Sequence, residues 1–221
     1  MSVTHSIRQR FVDSPTSLGA RARAHRWEWF QQAFPEIGEM SVIDLGGRAD
    51  SWLRAPIRPA RVHVVNLEDP GVNDDTPDWI TGELGDACEL PEHLVGTKYD
   101  LAFSNSVLEH VGGHERRLRF AQAIRELAPR HWVQTPYRYF PVEPHFLFPG
   151  FQFLPLAART RIVRRWPLVH TPPEDQPTAL RVAIWVELLS RTEMAHYFPD
   201  SEVRAERIAG LAKSLIAIKT N

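Results

Sequence analysis

The stretch SVIDLGG, residues 41–47, decides the predicted fold, because a short β-rich run ends there in two consecutive glycines. Gly46 and Gly47 let the backbone turn sharply and let a ligand approach where a side chain would collide. The residues after Gly47 do not complete the G-x-G-x-x-G pattern of dinucleotide-binding proteins. The stretch therefore predicts a tight β-to-α turn, either as plain structure or as the first loop of a ligand site.

Strands and helices alternate along the rest of the chain. Apolar residues at helical spacing predict helices over 17–34, 114–127 and 191–198. Short β-rich runs predict further strands at 61–67, 79–81, 99–104, 132–135, 202–208 and 214–219. This alternation predicts a mostly parallel sheet, and the last two strands, which meet at Gly210, predict a terminal antiparallel hairpin.

Polar segments follow the predicted strands at the edge where open α/β sheets bind ligands. The segment NLE, residues 66–68, ends the second strand about twenty residues after the glycines, where a side chain can hydrogen-bond ribose hydroxyls. In GDACELP, residues 85–91, the carboxylate of Asp86 is suited to accept an adenine amino group. The segment FSNSVLEHV, residues 103–111, follows the fourth strand. Polar residues that only cap a turn are the alternative for each segment.

Taken together and in this order, the segments resemble the class I S-adenosylmethionine-dependent methyltransferases of the small-molecule "type 11" branch, from about Val42 to Pro136. The resemblance implies a Rossmann-like α/β fold, with a mostly parallel seven-stranded sheet, helices on both faces and a C-terminal antiparallel hairpin. Family members usually have an acid where Asn66 stands, so either Asn66 or Glu68 is expected to hold the ribose. The implied contacts to S-adenosylmethionine are Asp44, Gly46, Gly47, Asn66, Leu67, Glu68, Asp86, Ala87, Ser104 and Asn105.

Length and composition predict one domain, with residues 1–40 as an N-terminal helical cap and residues 136–178 as a proline- and aromatic-rich insertion. The N-terminal helix either caps a pocket or covers a sheet edge. The 26 Lys and Arg nearly cancel the 27 Asp and Glu, which argues against a nucleic-acid partner. The chain has a single cysteine and no window that approaches the ~20 apolar residues of a membrane span, so we expect a cytoplasmic protein.

A hydroxyl group that accepts a methyl group must lose its proton, and histidine is the usual base. The loop after the fifth strand carries Glu143 and His145 towards the ligand edge, with His110 and His114 as further candidates. Glu143 and His145 also suit a shared cation such as Mg²⁺, although two ligands from one loop do not make a site. A structural histidine that fixes the loop is the alternative.

The resemblance leads us to expect an O-methyltransferase that acts on a small hydroxylated acceptor such as a saccharide. Residues 134–151 resemble actinobacterial sugar O-methyltransferases, such as the methylmannose polysaccharide 1-O-methyltransferase, which suggests polysaccharide biosynthesis. The alternatives are an N- or C-methyltransferase on another metabolite, a catalytically silent module that binds a partner through the insertion, and, last, a nicotinamide-dependent oxidoreductase. The sequence leaves the oligomeric state open, and a homodimer is compatible with it.

Overall fold

A computed structural model gives the three-dimensional structure of the chain, and it describes residues 18–169 and 173–221, with side chains from residue 22 onward. Residues 1–17, the first part of the predicted N-terminal cap, lie outside the described residues. The strands are β1 (Ser41–Leu45), β2 (Arg61–Asn66), β3 (Ile80–Leu84), β4 (Leu101–Asn105), β5 (Arg130–Pro136), β6 (Val142–Glu143), β7 (Phe148–Pro149), β8 (Glu202–Ile208) and β9 (Leu211–Lys219). The helices are α1 (Leu18–Ala33), α2 (Ala49–Leu53), α3 (Gly113–Leu127), α4 (Leu156–Val163), α5 (Gln176–Ile184) and α6 (Arg191–Tyr197).

Seven strands form one sheet in the order β3-β2-β1-β4-β5-β9-β8. Strands β1 to β5 pair in parallel, whereas β9 runs antiparallel to both β5 and β8. The central strands are rich in valine, isoleucine and leucine because a parallel sheet covered on both faces buries both sets of side chains. The predicted α/β fold, with its mostly parallel seven-stranded sheet and terminal antiparallel hairpin, is confirmed.

Helices cover both faces of the sheet. Successive side chains of a strand point to opposite faces, so Val42 and Ile43 of β1 belong to different hydrophobic clusters. On the Val42 side lie α1 and α2, and the most buried side chains there include Phe30 of α1, Phe34 just after it and Trp52 of α2. On the Ile43 side lie α3 and α6, which contribute Phe120, Ile124 and Met194.

The segment predicted as an irregular insertion, residues 136–178, contains short regular elements. It holds β6, β7, a turn of 3-10 helix at Phe151–Phe153, and α4. With α5 it builds a third hydrophobic cluster of its own, around Phe146 and Phe151. Helix α5 begins within the predicted segment and continues to Ile184, because Pro177 stands in the first turn of the helix, where proline is tolerated, and Asp175 caps it by accepting a hydrogen bond from Thr178 N.

The described part of the chain contains no candidate for a membrane-spanning helix. None of its helices combines the length and the apolar composition that a crossing requires.

Candidate active site

The glycine turn after β1 is held in place from two sides. Gly46 has a φ of 82°, and a Cβ atom added to Gly47 would lie 1.8 Å from Asp44 Oδ2, so both positions need glycine. Asn66 Nδ2 donates to the carbonyl oxygens of Gly46 and Gly47 at 3.1 and 2.7 Å. Asn66 Oδ1 accepts from the backbone N of Glu68 and Asp69. The Asn66 carboxamide is therefore used at both ends to fix this loop.

Asp44 lies underneath the glycine turn. It is 1% exposed, and its Oδ2 atom accepts a hydrogen bond of 2.8 Å from Trp52 Nε1. Burial raises the pKa of Asp44 to about 7, although the Trp52 bond acts in the opposite direction. Asp44 therefore supports the turn from the core.

A cavity of about 270 Å³ lies at the carboxyl ends of β1, β2 and β4. It brings together seven of the residues that the sequence predicts for a ligand site, namely Gly46, Asn66, Leu67, Glu68, Asp86, Ala87 and His110. The lining also includes Ser106, Val107, Val111, Arg116 and Trp185. Asp44, Gly47, Ser104 and Asn105 were predicted to contact the same ligand, and they are not among the described residues that line this cavity.

Two acidic side chains face the cavity in different surroundings. Glu68 is exposed at the end of β2. Asp86 pairs with Arg116 at 2.6 Å and accepts from Cys88 N at 2.8 Å. Although partial burial alone would raise it, these hydrogen bonds keep the pKa of Asp86 below its usual value, so the carboxylate stays ionised.

Two further predicted residues have structural partners. The Ser104 side chain is buried and donates to the Leu45 carbonyl oxygen. Asn105 Oδ1 accepts a 2.7 Å hydrogen bond from Arg26 of α1, and the same guanidinium group makes two bonds to Glu206 of β8. Helix α1 is thus tied to the carboxyl ends of the central strands, a contact that sequence periodicity does not reveal.

Next to the cavity, a second cluster joins His145, Glu143, Glu109 and His110. His145 Nδ1 lies 2.7 Å from Glu143 Oε1, so the loop after β5 brings these two residues together. Glu109 is fully buried; its Oε2 accepts from Thr135 Oγ1 at 2.9 Å, whereas its Oε1 has no hydrogen-bond partner. Burial raises the pKa of Glu109 to about 7.

His110 belongs to both the cavity and the cluster. Its ring stacks on Trp185 with centroids 4.0 Å apart and meets the His145 ring edge-on at 4.9 Å. Burial first, and the neighbouring His145 second, lower the pKa of His110 to about 4. His114, the other histidine considered from the sequence, lies apart from this cluster and bonds to the Tyr197 hydroxyl at 2.6 Å.

Glu109 and Trp185 are site residues that sequence reasoning missed. Glu109 stands beside His110 in the quoted segment, so an acid next to a candidate histidine was an available signal. No sequence pattern marks Trp185 as a site residue. It lies at the site because α5 packs with the folded insertion. A backbone hydrogen bond from Glu187 N to the Glu109 carbonyl oxygen, 2.9 Å long, joins these two parts of the chain.

Comparison with known proteins supports the fold at low sequence identity. No protein-family model and no curated protein sequence matches the chain. The 1,6-didemethyltoxoflavin-N1-methyltransferase of Burkholderia thailandensis superposes with a TM-score of 0.54 at 14% identity, covering 99% of this chain and 88% of that one. The magnesium protoporphyrin IX methyltransferase of Synechocystis PCC 6803 gives 0.53 at 12% identity, covering 97% and 93%. Both structures contain S-adenosylhomocysteine.

The chain has the class I methyltransferase fold. A structure from Rhodobacter sphaeroides that is named for putative Zn-dependent alcohol dehydrogenases also matches, with a TM-score of 0.51 at 16% identity, covering 89% of this chain and 98% of that one. At identities this low, structural similarity establishes only the fold. The reaction must be argued from the site. In this methyltransferase fold the strand order reverses between β1 and β4, the place where open α/β sheets bind ligands, and the 270 Å³ cavity lies there.

A larger cavity, of about 540 Å³, lies on the insertion between α4 and α5. Its lining includes Arg161, Arg164 and Gln176, and it shares no described residue with the smaller cavity. Position at the switch point of the sheet therefore favours the smaller cavity as the candidate active site.

Proposed function

We propose that the chain is an S-adenosylmethionine-dependent methyltransferase. The observation that carries the proposal is the cavity at the switch point, where a glycine turn, an exposed acid after β2 and an ionised acid after β3 meet. Gly46 gives backbone access to the cofactor, and Asp86 with Ala87 lies on the adenine side. Because the Asn66 carboxamide is occupied by the loop, we assign the ribose hydroxyls to Glu68.

The acceptor side of the proposed site is the cluster of His145, His110 and Glu143, and it supports methyl transfer to a hydroxyl oxygen. The acceptor lone pair must lie in line with the sulfonium methyl group, and the hydroxyl proton must leave. His110 lines the cofactor cavity and touches the His145 ring, so the place of proton removal adjoins the place of methyl transfer. Glu143 orients His145 from behind.

A saccharide fits this surface as the acceptor. Trp185 is 57% exposed and uses one ring face on His110, so the other face is available to stack on the apolar face of a sugar ring. Tyr139 and Phe153, stacked with centroids 5.9 Å apart, add two exposed rings on the insertion. An amine or an activated carbon would need less help with proton removal, so the polar cluster favours oxygen.

Binding and turnover are tested separately. Isothermal calorimetry with S-adenosylmethionine and S-adenosylhomocysteine should show one site per chain, and the Glu68→Gln variant should bind more weakly. Radiolabelled cofactor is then offered with panels of mono- and oligosaccharides, phenols and amines. Transfer to sugar hydroxyls supports the full proposal, and transfer to amines replaces O- with N-methylation. Absence of binding by both cofactor forms would reject the enzyme and favour a methyltransferase-like binding module.

A further inference from the structure

We propose that Glu109, His110 and His145 form a binding site for one divalent first-row transition-metal cation at the acceptor side of the cavity. One ligand atom from each of the three lies within 4.8 Å of the others. His110 Nε2 and His145 Nε2 each lie 3.9 Å from Glu109 Oε1. A cation with bonds of about 2.0–2.2 Å keeps its ligand atoms roughly 3–3.5 Å apart, so the two distances to Glu109 Oε1 exceed that spacing by less than about 1 Å.

Both histidines are oriented for coordination through Nε2. The Nδ1 atom of His145 faces Glu143 Oε1 at 2.7 Å, and the Nδ1 atom of His110 faces the carbonyl oxygen of Trp185 at 3.3 Å. A carboxylate and a carbonyl oxygen only accept hydrogen bonds, so each Nδ1 carries the hydrogen. A neutral imidazole with hydrogen on Nδ1 has its lone pair on Nε2, the pattern in which an outer carboxylate or carbonyl fixes a metal-binding histidine.

Glu109 is fixed in the position of the third ligand. Its Oε2 accepts from Thr135 of β5, and its backbone carbonyl oxygen accepts from Glu187 N, just after α5. Its Oε1 is buried, has no hydrogen-bond partner and lies nearest to both histidine rings. A buried carboxylate oxygen without a donor is costly, and a bound cation would satisfy it.

The ligand set indicates the kind of cation. Two imidazole nitrogens and one carboxylate oxygen suit Zn²⁺, Mn²⁺, Co²⁺ or Fe²⁺ better than Mg²⁺, which prefers oxygen ligands throughout. Three protein ligands leave open positions on the metal for water or substrate. Glu143, which the sequence suggests as a ligand together with His145, is placed by its 2.7 Å contact to Nδ1 as an outer partner instead.

The consequence for catalysis rests on the proposed function. A sugar hydroxyl that coordinates the cation would have a lowered pKa and release its proton to water. The resulting oxygen would attack the methyl group, forming the O–C bond as the C–S bond breaks, to give a methyl ether and S-adenosylhomocysteine. Cation binding itself requires neither the methyl donor nor the acceptor, so the two proposals are testable apart.

The test uses Co²⁺ as a spectroscopic probe on the untagged full chain after treatment with a chelator. Visible absorption should show one Co²⁺ per chain, displaced by Zn²⁺. Glu109→Gln and His145→Gln should each weaken Co²⁺ binding at least about 100-fold, and Glu143→Gln about 10- to 100-fold, as expected for an outer partner. Should Glu109→Gln fail to fold by circular dichroism, His145→Gln and His110→Gln decide, because these side chains are only partly buried.

A surface group of the same composition supplies the control. His63 and His93 both contact Glu83, at 3.3 and 2.8 Å, on β2, β3 and the following loop. His93→Gln should leave Co²⁺ binding unchanged. Loss of Co²⁺ binding in His93→Gln, unchanged binding in Glu109→Gln and His145→Gln, or no Co²⁺ binding by the parent protein would each overturn the site. Co²⁺ binding without S-adenosylmethionine binding would reject the proposed function and keep the cation site.

Discussion

At the scale of single residues, Asn66 and Glu68 at the carboxyl end of β2 have different roles. Asn66 fixes the glycine loop with both ends of its carboxamide, and Glu68 presents an exposed carboxylate to the cavity. Family resemblance left open which of the two holds the ribose, because it says nothing of where the amide hydrogen bonds go. The contacts of Asn66 are why we assign the ribose hydroxyls to Glu68.

Glu68→Gln should weaken S-adenosylmethionine binding about 10- to 100-fold, because a hydrogen bond to a charged group is worth roughly 1.5–3 kcal/mol. Calorimetric titration measures the dissociation constant. Asp69→Asn is the matched control, since it removes the same charge one residue away without touching the cavity lining. Equal affinities of Glu68→Gln and the parent protein would remove Glu68 from the cofactor site.

Asp44 makes stability depend on pH. Its folded-state pKa, about 7, lies above the ordinary value of 3.8, so the folded protein holds a proton that the unfolded chain has lost. Stability therefore falls as pH rises from about 4 to 7. Asp44→Asn stays neutral and still accepts from Trp52, so its advantage over the parent should grow across this window, to at most about 4 kcal/mol.

Urea unfolding at several pH values measures this difference. Asp74→Asn, at an exposed loop position, corrects for the loss of one negative charge. A stability difference between Asp44→Asn and the parent that does not change between pH 4 and 8 would contradict the assignment of a protonated Asp44 to the folded state.

At the scale of elements, the strands were predictable and the insertion was not. The valines of β2 predict a buried parallel strand, and Gly210 between two β-rich runs predicts the hairpin of β8 and β9. Helix α5 begins inside the segment predicted as a proline-rich insertion, because Pro177 stands in the first turn of the helix, where proline is tolerated. The pairing of Glu109 with His145 depends on where the loop after β5 folds, which local patterns do not encode.

Arg26 is the link between α1 and the sheet. Its guanidinium group donates to both oxygens of Glu206, and the two side chains are 12% and 3% exposed. Arg26→Met should destabilise the protein by roughly 3 kcal/mol, because it leaves a buried carboxylate without its main partner, although the positive charge of Lys213 acts on the same carboxylate.

Denaturant unfolding of Arg26→Met measures this loss. Arg48→Met is the comparison, because Arg48 pairs with Asp69 at about half exposure and such pairs contribute roughly 0–1 kcal/mol. The double variant Arg26→Met/Glu206→Leu should recover part of the lost stability. Equal losses in Arg26→Met and Arg48→Met would show that the buried link does not anchor α1.

At the scale of the whole molecule, the two halves of the proposed site come from different parts of the chain. The sheet supplies the glycine turn, Glu68 and Asp86, the insertion supplies Glu143 and His145, and Trp185 follows directly after α5. The insertion has a hydrophobic cluster of its own, so changes on it need not disturb the sheet. His110 and Glu109, which follow β4, stand where the two halves meet.

This division predicts that cofactor binding and methyl transfer separate under mutation. His145→Gln should lower turnover of the methyl acceptor at least about 100-fold, since acid–base or metal-assisted proton removal contributes that much. Its dissociation constant for S-adenosylmethionine should change less than about twofold, because His145 is not among the residues that line the cofactor cavity.

His196→Gln, at an exposed position of α6, controls for the loss of an imidazole. Steady-state kinetics and calorimetry on the same preparations measure both quantities. Unchanged turnover would remove His145 from the mechanism, and equal losses of binding and turnover would show that the insertion and the sheet act as one site.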